Sequence, residues 1–397
     1  MPPPFRLPFA ALTCLLLLAT PPLSLQAGQL PKLSDFSPAE ISSRERARGK
    51  DLTVEAFGER FVIELHPNDA LSIGLASAAR DNALAGGRNA FYKGRIAARP
   101  ASWARINRIG NAVRGMFSDG EHLYLIDQAE HFILPGERVL APESTIVFRI
   151  SDLVVDLLFD HGGVHLHAPD APAADESSAL AMPATAKRRE GTTSAADLLP
   201  VTIVTDTEFT DAHGSDTQAI VLGRMNFVDG LYASQVGTGI TLWHHEILTD
   251  NGSLISTDSG DLLDEFKQFL SSGDGSDIPF EGQAHLMTGR NIDDAAGYAY
   301  INVTCDTTYG IGVNQDLWSD TISALVVAHE LGHNFGAGHD DDTNWCPEGT
   351  PAGIMNSMIN PDNQNFSQCS LEAMTPNLET APCLQLNPGF LFQDRFE

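Results

Sequence analysis

The stretch Val327-Ala328-His329-Glu330-Leu331-Gly332-His333-Asn334-Phe335-Gly336-Ala337-Gly338-His339-Asp340 constrains this chain more than any other. Asp320 to Gly336 reads as one helix, with Asp320 as its N-cap and Gly336 closing it. His329 and His333 are four apart, so on a helix both imidazoles share a face, about 6 Å apart along the axis. From there each can offer a nitrogen to one zinc ion at about 2.0–2.1 Å. Glu330 follows a ligand but projects differently, so it can act on a water rather than bind the metal. Gly336 can take the positive φ that stops the helix and returns His339 as third ligand. Three protein ligands leave one coordination position open, the mark of a catalytic zinc site. A bare HExxH can arise by chance or be structural; the spacing H-E-x-x-H-x-x-G-x-x-H is far more specific.

Around this motif strands and helices alternate. Pro200 to Thr205 reads as a buried strand and Asp216 to Ser234 has helical spacing. Ile240 to Ile247 reads as a strand and Asp261 to Ser271 as a helix. Ala284 to Met287 and Tyr298 to Val303 read as further strands. The expected fold class is α/β (α+β), a mixed twisted sheet with the zinc-binding helix on it. Upstream, Asp51 to Leu65, Glu121 to Ile126 and Ser144 to Ile150 read as strands. Val154 to Phe159 and Gly163 to His167 would extend the same sheet.

Between the halves, Pro169 to Asp197 is rich in Ala, Pro, Ser and Thr without apolar periodicity, and reads as a linker. Its Lys187-Arg188-Arg189 is either a solvated basic run or a cleavage site that frees the second domain. At the start, Arg6, the apolar run Phe9 to Thr20 and Leu25-Gln26-Ala27 resemble an export signal, too short for a membrane span. The expected organisation is a signal at 1–27, a β-rich domain at 28–168, a linker at 169–198, a catalytic domain at 199–388 and a tail at 389–397.

The formal net charge is −28. Nucleic acid and anionic membranes need a basic face and are not expected partners. From Leu199 onward the only basic residues are Arg224, Lys267, Arg290 and Arg395, so the halves differ in kind. The acidity serves solubility or, on a sharper reading, favours basic substrate segments. Of five cysteines, Cys14 would leave with the signal; Cys305, Cys346, Cys369 and Cys383 remain, enough for two disulfides with three pairings.

The histidine motif followed by Gly353-Ile354-Met355-Asn356 resembles a metzincin with its Met-turn. Asp340 after the third histidine resembles the reprolysin (ADAM-type) branch. Phe91-Tyr92-Lys93-Gly94-Arg95-Ile96 and Val113-Arg114-Gly115-Met116-Phe117 are similar to reprolysin prodomains. Gly297-Tyr298-Ala299-Tyr300, Gly312-Val313-Asn314-Gln315-Asp316, Phe366-Ser367-Gln368-Cys369-Ser370 and Cys383-Leu384 are similar to parts of the catalytic domain.

The resemblance implies a short secreted zymogen of signal, prodomain and catalytic domain. Its catalytic domain would be a zinc metalloendopeptidase acting on protein or peptide substrates, with no stable membrane association. His329, His333 and His339 would hold zinc, Glu330 would be the general base, Met355 would underlie the ligands and Asp340 would brace the turn. Cys305 would pair with Cys383 and Cys346 with Cys369. Substrate would lie extended along the edge strand near Gly297 to Val303.

There are departures. Gly353 stands where many relatives have a cysteine, and no prodomain cysteine is present to ligate zinc for latency. The calcium-site carboxylates of many relatives have no clear counterpart, since Gly282 stands where one is expected, so structural calcium is left open. The tail Leu391-Phe392-Gln393-Asp394-Arg395-Phe396-Glu397 resembles a pattern on some exported bacterial proteins.

Other histidines carry less. His161, His165 and His167 end a strand or hold the prodomain near the metal. His244 and His245 read as structural, and Asp341 and Asp342 as a solvated loop. The alternative from another class is a catalytically silent binding or adhesion module on a metalloprotease scaffold; such scaffolds usually lack the glutamate or a histidine.

Overall fold

Eight consecutive buried residues, Leu198 to Thr205, form the strand on which the C-terminal half is organised. Such an unbroken run suits a strand covered on both faces. In the computed structural model, which describes residues 30–46, 49–136, 140–154, 157–158, 197–359 and 364–387, this strand is Asp197–Thr205. It pairs in parallel with Thr238–Ile247 on one side and Gln283–Thr288 on the other. Gln283–Thr288 pairs in parallel with Ile311–Gln315, which pairs antiparallel with the short edge strand Gly297–Ala299. The sheet is therefore mixed, as expected, and Gln385–Leu386 adds antiparallel to Asp197–Thr205.

Parallel neighbours need crossovers. Helices supply two of the three; the link from Gln283–Thr288 to Ile311–Gln315 instead carries the short edge strand. Ser77–Leu84 (α1) lies upstream, and Thr207–His213 (α2) and Thr217–Gln235 (α3) follow the central strand. Ser259–Ser272 (α4), Asp320–Asn334 (α5) and Gln368–Glu379 (α6) complete the set. α3 is buried at every position from Ala219 to Ala233. A helix buried all round must be packed on more than one side, and α3 lies between the catalytic sheet and the N-terminal half.

That half is a nine-stranded antiparallel sheet. Its consecutive strands are Glu40–Arg46, Gly49–Ala56, Glu59–Pro67, Ala90–Ile96, Trp103–Ile109, Ala112–Ser118, Leu123–Gln128 and Thr145–Arg149, with Ser37–Pro38 at the far edge. Asp51 to Leu65 is thus two strands of a hairpin. The reversal falls at Phe57-Gly58, where both residues take positive φ.

Several expected boundaries move. The Tyr298–Val303 run is strand only as Gly297–Ala299, because Asn302 takes φ 59° and leaves the ladder. The metal helix is capped by Ser319, whose Oγ accepts from the Ile322 N–H, not by Asp320. Asp320 is the first helical residue and is committed to ion pairs instead. Leu153–Val154 pairs with Lys32–Leu33, and Leu157–Leu158 pairs with Met358–Ile359, so neither extends the large sheet. The expected signal, the linker with Lys187-Arg188-Arg189, His161, His165, His167 and the tail at 389–397 lie outside the described residues. Both implied disulfides are present, Cys305–Cys383 and Cys346–Cys369.

Candidate metal centre

α5 carries His329 and His333 one turn apart, both fully buried. Gly336 ends the helix at φ 105°, and its N–H donates to the His333 carbonyl while Ala337 N–H donates to Gly332. The return past Gly338 is tight: a Cβ there would sit 2.1 Å from Cγ of Trp345. It brings His339 against the other two. His329 Nε2 is 3.0 Å from His333 Nε2 and 3.3 Å from His339 Nε2.

These contacts are not hydrogen bonds in substance. His329 Nδ1 faces the Ile354 carbonyl and His333 Nδ1 the Ala337 carbonyl, each at 2.8 Å. A carbonyl only accepts, so each ring carries its proton on Nδ1 and presents a bare lone pair at Nε2. Converging lone pairs repel unless a cation lies between them. Tetrahedral ligands at 2.0–2.1 Å stand about 3.3–3.4 Å apart, close to the observed spacing. The three histidines form the one group among the described residues able to hold a metal in this way. Burial lowers the His339 pKa from the ordinary imidazole value, against the nearby Asp341 and Asp342 carboxylates.

The floor of the site is set by close approaches. Met355 is buried beneath α5, and a Cβ on Gly332 would meet its Sδ at 2.3 Å. Asp340 does not join the histidines. Its Oδ1 accepts from Ser367 Oγ at 2.5 Å and Ser370 Oγ at 2.7 Å, and its N–H donates to the Met355 carbonyl. It ties the third-histidine loop to the Met-turn and α6. Asp341 accepts from Ser357 N–H and Oγ, and Asp342 from Asn344, all of them exposed contacts, in keeping with a solvated loop.

Glu330 is fully buried, and its carboxylate lies against Gly297 of the edge strand. The sheet and α5 are bonded together just beyond it. Asn302 N–H and Val303 N–H donate to the carbonyls of His333 and Asn334. Asn334 Nδ2 donates to the carbonyls of Tyr300 and Ile311, and its Oδ1 lies 3.0 Å from His285 Nε2. Burial lowers the His285 pKa to about 4, its bonds to Asn334 and Asn314 notwithstanding. His285, Asn334 and Gly297 were not singled out by spacing. Their partners are remote in sequence, and only the last carries a local hint, as a glycine in a strand. His245 is a structural histidine, buried and 3.1 Å from Thr205 Oγ1; half-exposed His244 pairs with Glu246.

The N-terminus of α5 is anchored in a buried ionic cluster. Arg224 donates to Asp320 at 2.9 Å and Asp316 at 2.5 Å, and Arg114 donates to Asp320 at 2.6 Å. Burial resists the Asp320 charge, but Arg114 and Arg224 outweigh it and depress its pKa to about 2.

A mixed sheet carrying a long helix with three converging imidazoles has the fold of a metallopeptidase-type catalytic domain. Residues 198–367 match the family described as Metallo-peptidase family M12, and over this domain the chain is similar to reprolysin-type metalloproteases. It is 34% identical over 181 residues to disintegrin and metalloproteinase domain-containing protein 9 of Homo sapiens, a match covering 43% of this chain and 21% of that protein. It is 29% identical over 203 residues to "a disintegrin and metalloproteinase with thrombospondin motifs 18" of Mus musculus, covering 47% of this chain and 16% of that one. The chain thus spans about a fifth of the length of the curated relatives it matches. The crystal structure of metalloproteinase-II from Bacteroides fragilis is similar at TM-score 0.47 and 14% identity, over 80% of this chain and 88% of that one.

Proposed function

We propose that this protein is a secreted zinc-dependent endopeptidase, made latent, that hydrolyses peptide bonds with Glu330 as general base and His329, His333 and His339 as zinc ligands. The convergence of three Nε2 lone pairs, two of them fixed by carbonyls on Nδ1, is the observation that carries this reading. Zinc, when bound, supplies Lewis-acid polarisation and makes water acidic near neutral pH. The chain's own residues do the rest. Glu330 takes the proton of the attacking water and delivers it to the leaving amine. Its fully buried carboxylate sits beside the edge strand Gly297–Ala299, whose one ladder partner among the described residues is Ile311–Gln315. A peptide adding to the free side of that strand would be held through its main chain, with its scissile bond near Glu330. Recognition of backbone rather than side chains suits an endopeptidase.

Two further features support the reading. The disulfides fit an oxidising compartment outside the cytosol. Leu157–Leu158, where the chain leaves the N-terminal half, pairs with Met358–Ile359, three residues beyond Met355. This pairing joins the N-terminal half to the chain just after Met355.

The test is casein cleavage by the processed protein, wild type against Glu330→Ala at equal zinc content. Cleavage by wild type alone is expected. No cleavage by zinc-loaded, processed wild type would favour a silent binding module, and equal cleavage by both would remove Glu330 from the mechanism.

A further inference from the structure

The contact between the two halves has the character of a core. Trp103, Ile109, Met116, Leu125 and Phe148 of the N-terminal sheet belong to the same buried apolar cluster as Leu199, Val201, Phe227 and Leu325 of the catalytic domain. The contact has three parts. On the outer catalytic strand, Gly74 packs so closely on Trp243 that a Cβ would lie 2.4 Å from the indole, and Thr241 Oγ1 donates to the Leu71 carbonyl.

On α3, two glycines seven residues apart admit the N-terminal sheet to the helix backbone. A Cβ on Gly223 would be 2.9 Å from Asn107 Nδ2, and one on Gly230 would be 2.6 Å from Trp103 and 2.7 Å from Arg105. Between them a closed polar network is buried. Arg105 Nε donates to Asp229 at 2.9 Å and Asn68 Nδ2 to Asp229 at 3.0 Å. Asn226 donates to Asn107 at 2.7 Å and accepts from Asn68 at 2.8 Å.

The third part reaches the metal helix. Asp127 accepts from Ser319 Oγ, the cap of α5, at 2.5 Å, and Arg114 donates to Asp320 at 2.6 Å. The first turn of the helix that presents the histidines is thus bonded to the N-terminal sheet.

We propose that the N-terminal domain is a permanent structural subunit of this protein, remaining bound to the catalytic domain after the connecting chain is cut and holding the first turn of α5 in place. Separation would leave Asp229 without Arg105 and Asp320 without Arg114, and would expose apolar surface continuous with the catalytic core. Breaking a buried pair by removing one partner is strongly unfavourable, and here two pairs break together. On this view activation does not require loss of the domain. The claim concerns association, so it stands or falls independently of peptidase activity.

The test uses the full chain with a site-specific protease sequence placed at Lys187-Arg188-Arg189. After cutting, size-exclusion chromatography and native mass spectrometry should give one particle of the uncut mass. Hydrogen exchange should find the amides of Ala219 to Ala233 and of the first turn of α5 as protected as in the uncut chain. Two separated fragments, with a folded catalytic fragment keeping that protection, would overturn the proposal. Gly230→Ala tests the interface itself. Alanine favours the helix, so the catalytic domain should not suffer, yet its Cβ meets Trp103 and Arg105. The cut variant should dissociate at least about fivefold more readily than the cut wild type, since overpacking a filled contact weakens it. Equal dissociation would show that the fragments are not held through this contact.

Discussion

Gly297 stands against Glu330: a Cβ on the edge-strand glycine would lie 2.5 Å from the carboxylate Oε1. The fully buried Glu330 thus occupies the space that any side chain at position 297 would need. The strand proposed to bind substrate and the proposed base are fitted to each other before substrate arrives.

Gly297→Ala should therefore push the carboxylate or the strand out of place. The expected result is a fall of at least about tenfold in kcat/KM on casein with zinc content unchanged, a loss typical of small misplacements in an active site. Parallel loss of metal, or unchanged activity, would mean that Gly297 does not position Glu330.

Arg224→Met should destabilise the whole domain. Arg224 is 1% exposed and holds Asp316 and Asp320. Removing it leaves two buried carboxylates short of a partner. His213 and Arg114 still reach them, so the expected cost is about 3 kcal/mol, at the lower end for a broken buried pair. Urea unfolding measures it, and a loss below about 1 kcal/mol would contradict the assignment.

Acid should weaken the fold well before its carboxylates protonate. Burial lowers the pKa of His245 to about 3, helped by His244, and that of His285 to about 4. An unfolded chain takes these protons near pH 6.5, while the native state refuses them until far lower. The unfolded state then binds more protons, so stability falls as pH drops from about 6.5 toward 4. Above pH 6.5 these two groups contribute no slope. Unfolding free energies from pH 4 to 8 should bend accordingly, and His245→Phe should flatten the bend if it folds; an unchanged slope in that variant would clear His245 of the effect.

The two disulfides should differ in worth. Cys305–Cys383 closes a separation of 78 residues and Cys346–Cys369 one of 23. Chain-entropy scaling assigns about 4.5 kcal/mol to the first and about 3.4 to the second. Paired serine replacements compared by chemical denaturation should keep that order. The reverse order would mean that the shorter bridge does more for the native state, through the loop between His339 and α6, than for the unfolded chain.

Much of the site was legible in the amino-acid order because its logic is local. The 3.6-residue period alone puts His329 and His333 on one face, and a glycine at position 336 is needed wherever the helix stops at positive φ and turns back toward His339. The run Pro200 to Thr205 likewise reads as a buried strand, and the structure extends it back to Asp197. What only the tertiary structure decided lies in pairs remote along the chain: Gly297 against Glu330, His285 on Asn334, Arg105 on Asp229, Asp127 on Ser319. Ser319 took the cap from Asp320 because Arg114 and Arg224 claim the aspartate in three dimensions. Periodicity reports which face of an element is buried. It carries no record of what lies opposite, and hydrogen bonds, ion pairs and glycine close approaches depend on that alone.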